Sequence, residues 1–230
     1  MRKAATFVIG SMIAAVGLAA WLQMASAEDA RVLPPAAADE TAPPGSETAV
    51  LAGGCFWGMQ GMFEHVKGVQ HVWAGYSGGA SYTAHYAMVG TETTGHAESI
   101  KIAFDPKVVS YGTLLRLYFS VAHDPTELNR QGPDEGSSYR SEIFFASPEQ
   151  EKIAHAYIAQ LTKAHVFAEP IVTKVEALNG FYPAEGYHQD YLIHHPESGY
   201  IQVNDLPKIA NLKRLYPTLY RDTPVMVTER

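Results

Sequence analysis

The stretch Leu51-Ala-Gly-Gly-Cys-Phe-Trp-Gly58 decides the fold of this chain, because a short apolar run changes there into a helical pattern. Residues 48–52 have the composition of a buried strand, and the apolar residues within 59–66 recur at helical spacing. Gly53 and Gly54 permit a tight turn between the two segments. The sequence therefore predicts that Cys55 lies at the N-terminus of a helix.

Cys55 is the only cysteine among the 230 residues. The unpaired backbone N–H groups and the dipole at a helix N-terminus favour a negative charge. This position therefore predicts a lowered pKa for Cys55 and a thiol that is partly ionised near neutral pH, the form that attacks. A buried structural cysteine is the alternative, since this is the common fate of a free cysteine. The position after two glycines at a strand-to-helix turn favours the reactive interpretation.

The composition indicates one packed domain with additional segments. Hydrophobic residues make up 47% of the chain and aromatic residues 11%, which suffices for a sizeable core. The formal net charge of -7 does not indicate a nucleic-acid-binding protein. A single cysteine excludes a disulfide within this chain.

The first 27 residues resemble a secretory signal peptide. A basic start at Arg2 and Lys3 precedes the uncharged residues 4–27, which end in an Ala-Ser-Ala pattern. An uncleaved membrane anchor is the alternative, because the uncharged segment is long enough to span a bilayer. With either interpretation we expect the catalytic part outside the cytoplasm, in the periplasm or secreted.

The segment that follows, residues 28–47, is rich in proline and alanine and has no apolar periodicity. It is predicted to be a solvated linker. A single catalytic domain is then expected over residues 48–230.

The pattern beyond Cys55 predicts an α+β fold. Strands are expected over residues 69–76, 96–104 and 139–146, a long loop over 77–96, and a helix over 111–122. Ser110 and Ser147 are suitable N-caps for this helix and for a second one. The order β-α-β-β-α-β is typical of a ferredoxin-like split βαβ core, in which an antiparallel sheet carries both helices on one face. A strand over 171–177 and a short helix from about Lys208 would form a C-terminal extension.

Glu98 stands out within the strand predicted over residues 96–104. It shares one face of that strand with Ile100, Ile102 and Phe104. A carboxyl group on an apolar face is a local contradiction, and such contradictions tend to mark functional sites. Burial there would raise the pKa of Glu98 and keep it protonated near neutral pH, so that it could act as an acid. An ion pair at the strand end is the structural alternative.

Several motifs resemble, in the same order, those of the type A peptide methionine sulfoxide reductases, over roughly residues 48–200. They are Gly54-Cys-Phe-Trp-Gly58, Gly75-Tyr-Ser-Gly-Gly79, Thr94-Gly-His-Ala-Glu98, His123-Asp-Pro-Thr126, Arg130-Gln-Gly132 with Asp134, Tyr139-Arg-Ser141 and Ala184-Glu-Gly-Tyr-His-Gln189. The resemblance implies reduction of the S epimer of methionine sulfoxide, without a metal or an organic cofactor.

The resemblance also implies roles for individual residues. Cys55 would be the nucleophile that attacks the sulfoxide sulfur and becomes a sulfenic acid. Glu98 would protonate the sulfoxide oxygen, and the hydroxyls of Tyr86 and Tyr139 would donate hydrogen bonds to it, in the manner of an oxyanion hole. The implied substrate-binding residues are Phe56 and Trp57, which would hold the methyl group, together with Asp134, His188 and Tyr200.

One departure from the family concerns recycling of the sulfenic acid. Many members carry further cysteines near the C-terminus, one of them often directly after the position of Tyr200, where this chain has Ile201. An internal disulfide is therefore impossible here, and an external thiol must reduce the sulfenic acid. We expect a thioredoxin-like reductant as partner, no nucleic acid, and a monomer.

Three other functions are compatible with parts of the sequence. Cys55 together with His96, His123 or His188 could form the nucleophile and base of a hydrolase. The ten histidines could indicate a metal-binding module, although their spacing matches no standard zinc pattern. A protein that binds sulfoxides or peptides without turnover is the third possibility.

Overall fold

A computed structural model describes residues 30–40 and 45–227 of the chain. The predicted signal peptide, residues 1–27, lies outside the described residues. Within the described ranges, no helix combines the length and the apolar character needed to cross a membrane.

The secondary structure contains the predicted β-α-β-β-α-β series. The strands are β1 (Glu47–Ala52), β2 (Val69–Ser77), β3 (Ala97–Phe104), β4 (Arg130–Gln131), β5 (Asp134–Glu135), β6 (Glu142–Phe145), β7 (Lys174–Ala177) and β8 (Tyr182–Pro183). The helices are α1 (Phe56–Glu64), α2 (Tyr86–Val89), α3 (Tyr111–Leu117), α4 (Pro148–Lys163), α5 (Tyr191–His194) and α6 (Leu206–Leu215). Two π-helical turns, Tyr118–Ala122 and Ile201–Asp205, directly follow α3 and precede α6.

The main sheet has six strands in the order β7-β6-β1-β3-β2-β8. Its four middle strands, β6, β1, β3 and β2, are antiparallel, as a split βαβ core requires. The predicted α+β class is confirmed. The sheet as a whole is mixed, because β7 follows β6 through α4 and pairs with it in parallel. A helical crossover is the usual connection between parallel strands.

The face of β3 that carries Glu98 is buried as predicted, but the opposite face is also largely covered, since Ser99 and Ala103 are buried and only Lys101 is half-buried. Ile100, Ile102 and Phe104 are fully buried, and Glu98 is only 4% exposed. Helix α1 packs on β2 and β3, so that the strand face that carries Glu98 lies beneath the helix that begins after Cys55. The fold therefore brings the two residues singled out in the sequence to the same end of α1.

The two predicted N-caps are confirmed. The Ser110 hydroxyl accepts a hydrogen bond from the Thr113 backbone N–H, and the Ser147 hydroxyl accepts one from the Gln150 N–H at 3.1 Å. The segment predicted as a long loop over 77–96 is less irregular than expected, because it contains a 3₁₀ turn and α2.

The linker prediction is wrong for residues 30–40. They form no helix or strand, but they pack against the domain, with Leu33 only 1% exposed inside the core. The Arg116 guanidinium donates to the Leu33 carbonyl at 2.6 Å, and the Tyr157 hydroxyl donates to the Pro34 carbonyl at 2.8 Å. The composition did not reveal this, because one leucine and a few backbone carbonyls suffice to anchor an otherwise polar segment.

We expect Leu33→Ala to lower the free energy of unfolding by about 2–3 kcal/mol, because it removes a buried side chain from the core. The matched control is Val32→Ala, at a neighbouring side chain that is 58% exposed. The control should change the stability by no more than about 0.5 kcal/mol. Urea denaturation of both variants measures the difference. Equal effects in the two variants would show that residues 30–40 contribute nothing to the folded domain.

Candidate active site

Cys55 is the N-cap residue of α1, as the sequence predicts, and its side chain is partly exposed. The turn before it requires both glycines. Gly54 has a φ of +92°, and a Cβ atom there would come within 2.6 Å of the Gln131 side chain. A Cβ atom on Gly53 would lie 2.9 Å from the His123 ring. The Gln131 and His123 side chains therefore pack directly against the turn that precedes Cys55.

The carboxyl group of Glu98 lies beside the residue that follows Cys55. Its Oε2 accepts a hydrogen bond of 3.0 Å from the Phe56 backbone N–H, the first free donor of α1. Burial raises the pKa of Glu98 to about 8, although the Phe56 N–H acts in the opposite direction. Glu98 is therefore mostly protonated at neutral pH, in agreement with the expectation from its strand face.

The expected lowering of the Cys55 pKa is wrong for the substrate-free protein. Burial raises the pKa of the Cys55 thiol well above its ordinary value, and the negative charges of Glu98 and Asp205 add to this effect. The backbone N–H of Trp57 acts in the opposite direction but does not compensate. The N-terminus of α1 does favour a negative charge on Cys55. Burial of the thiol and the nearby carboxyl groups of Glu98 and Asp205 outweigh this effect. Cys55 is a thiol at neutral pH in the empty site.

Tyr86, the first residue of α2, and Tyr139, at the end of a 3₁₀ turn, both interact electrostatically with Glu98 and Cys55. Burial raises the pKa of each phenol, and the charges of Glu98 and Cys55 contribute to both shifts. Both hydroxyls therefore stay protonated and can donate hydrogen bonds. The structure brings these four residues together, as the family resemblance implied.

Two glutamates outside the predicted set hold these tyrosines in place. The Glu185 carboxylate accepts hydrogen bonds from the Tyr86 backbone N–H at 3.0 Å and from the Tyr76 hydroxyl at 2.8 Å. The Glu92 carboxylate accepts a bond of 2.7 Å from the Ser138 N–H, in the 3₁₀ turn that ends at Tyr139. Hydrogen bonds therefore fix the backbone near each phenol.

An aromatic pocket surrounds Trp57, the second residue of α1. Its indole stacks on the Tyr191 ring, with the centroids 3.8 Å apart and the planes inclined by 13°. The Tyr200 ring stands edge-on to it at 6.0 Å. The indole Nε1–H of Trp57 donates a hydrogen bond to Nδ1 of His188 at 3.1 Å. The centroid of the His188 ring lies 5.0 Å from that of the Phe56 ring. These side chains form an apolar wall beside the thiol.

The pocket also contains the remaining residue of the predicted site. The Tyr200 hydroxyl donates a hydrogen bond to the Asp134 carboxylate. Burial raises the pKa of Asp134, and this bond acts in the opposite direction. The structure thus places all nine predicted residues around one site.

Sequence reasoning missed Asp205, Tyr191 and the supporting role of Glu185. Glu185 lies inside the motif Ala184-Glu-Gly-Tyr-His-Gln189, and Tyr191 lies two residues after the end of that motif. No local sequence pattern marks Asp205 as a site residue. It lies near the helix that begins after Cys55 because a segment 150 positions further along the chain packs there.

The histidines proposed as catalytic bases are engaged elsewhere. Both ring nitrogens of His96 bond to the backbone, to the Gly79 N–H and to the Ala80 carbonyl. His123 bonds to the Tyr118 carbonyl and the Ser141 hydroxyl, and burial lowers its pKa to about 3. His188 accepts from Trp57. None of these rings is bonded to Cys55 in the way a hydrolase requires. Over residues 30–40 and 45–227, no three His, Cys, Asp or Glu side chains are arranged to hold a metal ion.

A thiol, a neutral carboxylic acid and two phenols beside an aromatic pocket define a thiol-dependent enzyme that acts on a polar oxygen next to an apolar group. Comparison with known proteins identifies the family. Residues 47–218 match the family model of peptide methionine sulfoxide reductase. The chain belongs to the peptide methionine sulfoxide reductase family, as the motifs indicated, and is an oxidoreductase that reduces methionine sulfoxide.

Individual relatives agree with this assignment. The peptide methionine sulfoxide reductase MsrA 2 of Mesorhizobium japonicum is 59% identical over 189 residues, which cover 82% of this chain and 97% of the relative. The enzyme MsrA of Deinococcus radiodurans is 45% identical over 74% of this chain and 82% of its own. Among solved structures, the reduced form of Mxr1 from Saccharomyces cerevisiae is 29% identical, with a TM-score of 0.62 over 73% of this chain and 96% of that chain. Methionine sulfoxide reductase A of Corynebacterium diphtheriae is 32% identical, with a TM-score of 0.58 over 68% and 78% of the two chains.

Proposed function

We propose that this protein reduces the S epimer of methionine sulfoxide, free or in proteins, as a repair of oxidative damage outside the cytoplasm. We also propose that Cys55 is the nucleophile and that an external thiol restores it. The observation that supports the proposal is the hydrogen bond of 3.0 Å from the Phe56 N–H to the Glu98 carboxyl, because Phe56 directly follows Cys55 in the chain.

Substrate binding follows from the two sides of the site. The methyl group of the sulfoxide would lie against Phe56 and Trp57, where it finds aromatic surface. The oxygen would point to Glu98 and to the hydroxyls of Tyr86 and Tyr139, which are protonated and can donate. Once the methyl group and the oxygen are fixed, only one epimer of the pyramidal sulfur turns its open face to Cys55.

The chemistry requires no external oxidant or cofactor in the first half-reaction. Glu98 donates its proton to the sulfoxide oxygen, and the Cys55 proton restores Glu98. The Cys55 sulfur attacks the substrate sulfur and forms a sulfur–sulfur bond, and the oxygen, which receives a second proton through Glu98, leaves as water. A water molecule then attacks the Cys55 sulfur, the sulfur–sulfur bond breaks, and the proton released restores Glu98. The substrate sulfur gains two electrons and Cys55 loses two, which gives methionine and a sulfenic acid. The phenols of Tyr86 and Tyr139 stabilise the charge on oxygen during this transfer.

Recycling then consumes two external thiols. The first attacks the Cys55 sulfenic acid, which gives a mixed disulfide and water, and the second releases Cys55 as the thiol. The position after Tyr200 is occupied by the fully buried Ile201, and the chain has no second cysteine. Cys55 is partly exposed as a residue, although burial is the main cause of its raised pKa. We propose a thioredoxin-like reductant for this step.

Two further proposals concern the whole molecule. The signal-peptide pattern of residues 1–27 supports a periplasmic or secreted location, which cell fractionation and N-terminal sequencing of the mature protein would test. We propose a monomer, which analytical ultracentrifugation would test.

The experiment that tests the proposed function is turnover of the separated R and S epimers of methionine sulfoxide, with dithiothreitol as reductant. We expect reduction of the S epimer and none of the R epimer. Before the reductant is added, mass spectrometry should find one added oxygen atom on Cys55. Equal turnover of both epimers, or a product without modification of Cys55, would contradict the proposal.

A further inference from the structure

Asp205 is a buried carboxyl group for which the reaction described above has no use. It ends the π-helical turn Ile201–Asp205 and is fully buried, and neither of its oxygens accepts a hydrogen bond of ordinary geometry. The Lys208 ammonium lies 3.7 Å from Oδ1. A buried carboxylate is costly unless it is paired and hydrogen-bonded. Asp205 therefore calls for an explanation beyond its contribution to folding.

The carboxyl group of Asp205 lies against the first turn of α1. A Cβ atom on Gly58, the third residue of that helix, would collide with the Asp205 carboxyl oxygen. In a capping box, the side chain of the third helical residue reaches back to the N-cap residue. Here the N-cap residue is Cys55, and the space beside Gly58 is occupied by the Asp205 carboxyl group, which accepts no hydrogen bond from the helix.

We propose that Asp205 is a positioning residue that keeps Cys55 in the thiol form in the substrate-free enzyme and thereby protects its sulfur from direct oxidation by hydrogen peroxide. This inference rests on Cys55 being the nucleophile of the proposed function. The thiolate attacks an oxygen of hydrogen peroxide: a sulfur–oxygen bond forms, the oxygen–oxygen bond breaks, the second oxygen leaves as water, and Cys55 becomes a sulfenic acid. A second peroxide molecule oxidises this to a sulfinic acid. A chain without a second cysteine cannot intercept the sulfenic acid as an internal disulfide.

Two other carboxyl groups, Glu98 and Asp134, also raise the pKa of the thiol, Glu98 more than Asp205 and Asp134 less. Glu98 on β3 is mostly protonated at neutral pH, because burial raises its pKa to about 8. The Asp134 carboxylate on β5 accepts a hydrogen bond from Tyr200, and the phenols of Tyr86 and Tyr139 are neutral.

Asp205 itself is ionised at neutral pH. Burial raises its pKa to about 6, against the attraction of the Lys208 ammonium on α6, so the carboxylate carries its charge above that pH. Its negative charge disfavours a second one on Cys55 and raises the pKa of the thiol. Removing this charge should therefore allow the thiol to ionise at a lower pH.

The test is the pH dependence of Cys55 alkylation by iodoacetamide in the wild type and in Asp205→Asn, which removes the charge and keeps the shape. We expect the midpoint to fall by about one pH unit, which corresponds to about tenfold faster alkylation at pH 7. After equal exposure to hydrogen peroxide, the variant should also contain more Cys55 sulfinic acid by mass spectrometry. The control is Lys208→Met, which leaves the charge of Asp205 in place and should not lower the midpoint.

An unchanged midpoint in folded Asp205→Asn would overturn the proposal. An equal fall in Lys208→Met would also overturn it, because it would indicate general loosening of this segment. If Asp205→Asn does not fold, the double variant D205N/K208M removes the pair as a whole, a change that buried ion pairs often tolerate. Its midpoint should be lower than that of Lys208→Met, because the two differ only in the charge of residue 205. Alkylation measures the thiol and not turnover, so a failure here is distinct from a failure of the proposed function.

Discussion

Cys55→Ser should abolish the reduction of methionine sulfoxide, with turnover at least about 10⁴-fold lower than in the wild type. A serine hydroxyl at the same position cannot attack the sulfoxide sulfur at neutral pH, and the chain contains no other cysteine to replace it. The measurement is the consumption of the S epimer with dithiothreitol, followed by chromatography of the methionine formed.

The structure indicates that Cys55→Ser should not disturb the fold. Cys55 is the N-cap residue of α1, and serine is among the residues preferred at that position. We therefore expect the variant to keep the unfolding midpoint of the wild type and to bind methionine sulfoxide. Retention of full activity would remove Cys55 from the mechanism. Loss of activity with retained binding would exclude a protein whose role is binding alone.

The local pattern of the sequence predicted the parts of the site that depend on neighbouring residues. The turn at Gly53 and Gly54 placed Cys55 at a helix end, and the alternation in β3 placed Glu98 on an apolar face. Both depend on contacts within a few positions of the chain. The roles of Tyr86 and Tyr139 came from the family resemblance, since nothing local distinguishes them among 13 tyrosines.

The sequence-based predictions that were wrong concern effects that arise only when distant segments of the chain pack together. The ionisation of Cys55 depends on desolvation and on the carboxyl groups of Glu98 and Asp205, all of which oppose the local effect of the helix end. Leu33 is buried because the folded helices offer it a surface, which composition cannot show. The same holds for β7, whose parallel pairing depends on the path of α4 and not on its own four residues.

Glu98→Gln should lower kcat/KM for the S epimer by about 10²–10⁴-fold, the usual contribution of a positioned proton donor. The amide oxygen of glutamine can still accept the hydrogen bond from the Phe56 N–H, so the turn that carries Cys55 should keep its geometry. What the variant loses is the acidic proton that the sulfoxide oxygen must receive. Steady-state kinetics measures the loss, and circular dichroism checks that the fold is intact.

The pH dependence of kcat/KM distinguishes loss of the acidic proton of Glu98 from a general distortion of the active site. Burial raises the pKa of Glu98 to about 8, so the neutral acid is present below that pH and is lost as the pH rises through it. Wild-type kcat/KM should therefore decline above about pH 8, whereas Glu98→Gln should keep its low rate without a decline in that range. The matched control is Glu92→Gln, which changes an exposed carboxylate near Tyr139 and should keep the decline. A decline that persists in Glu98→Gln would assign the proton to another group and would remove Glu98 from its role as the acid.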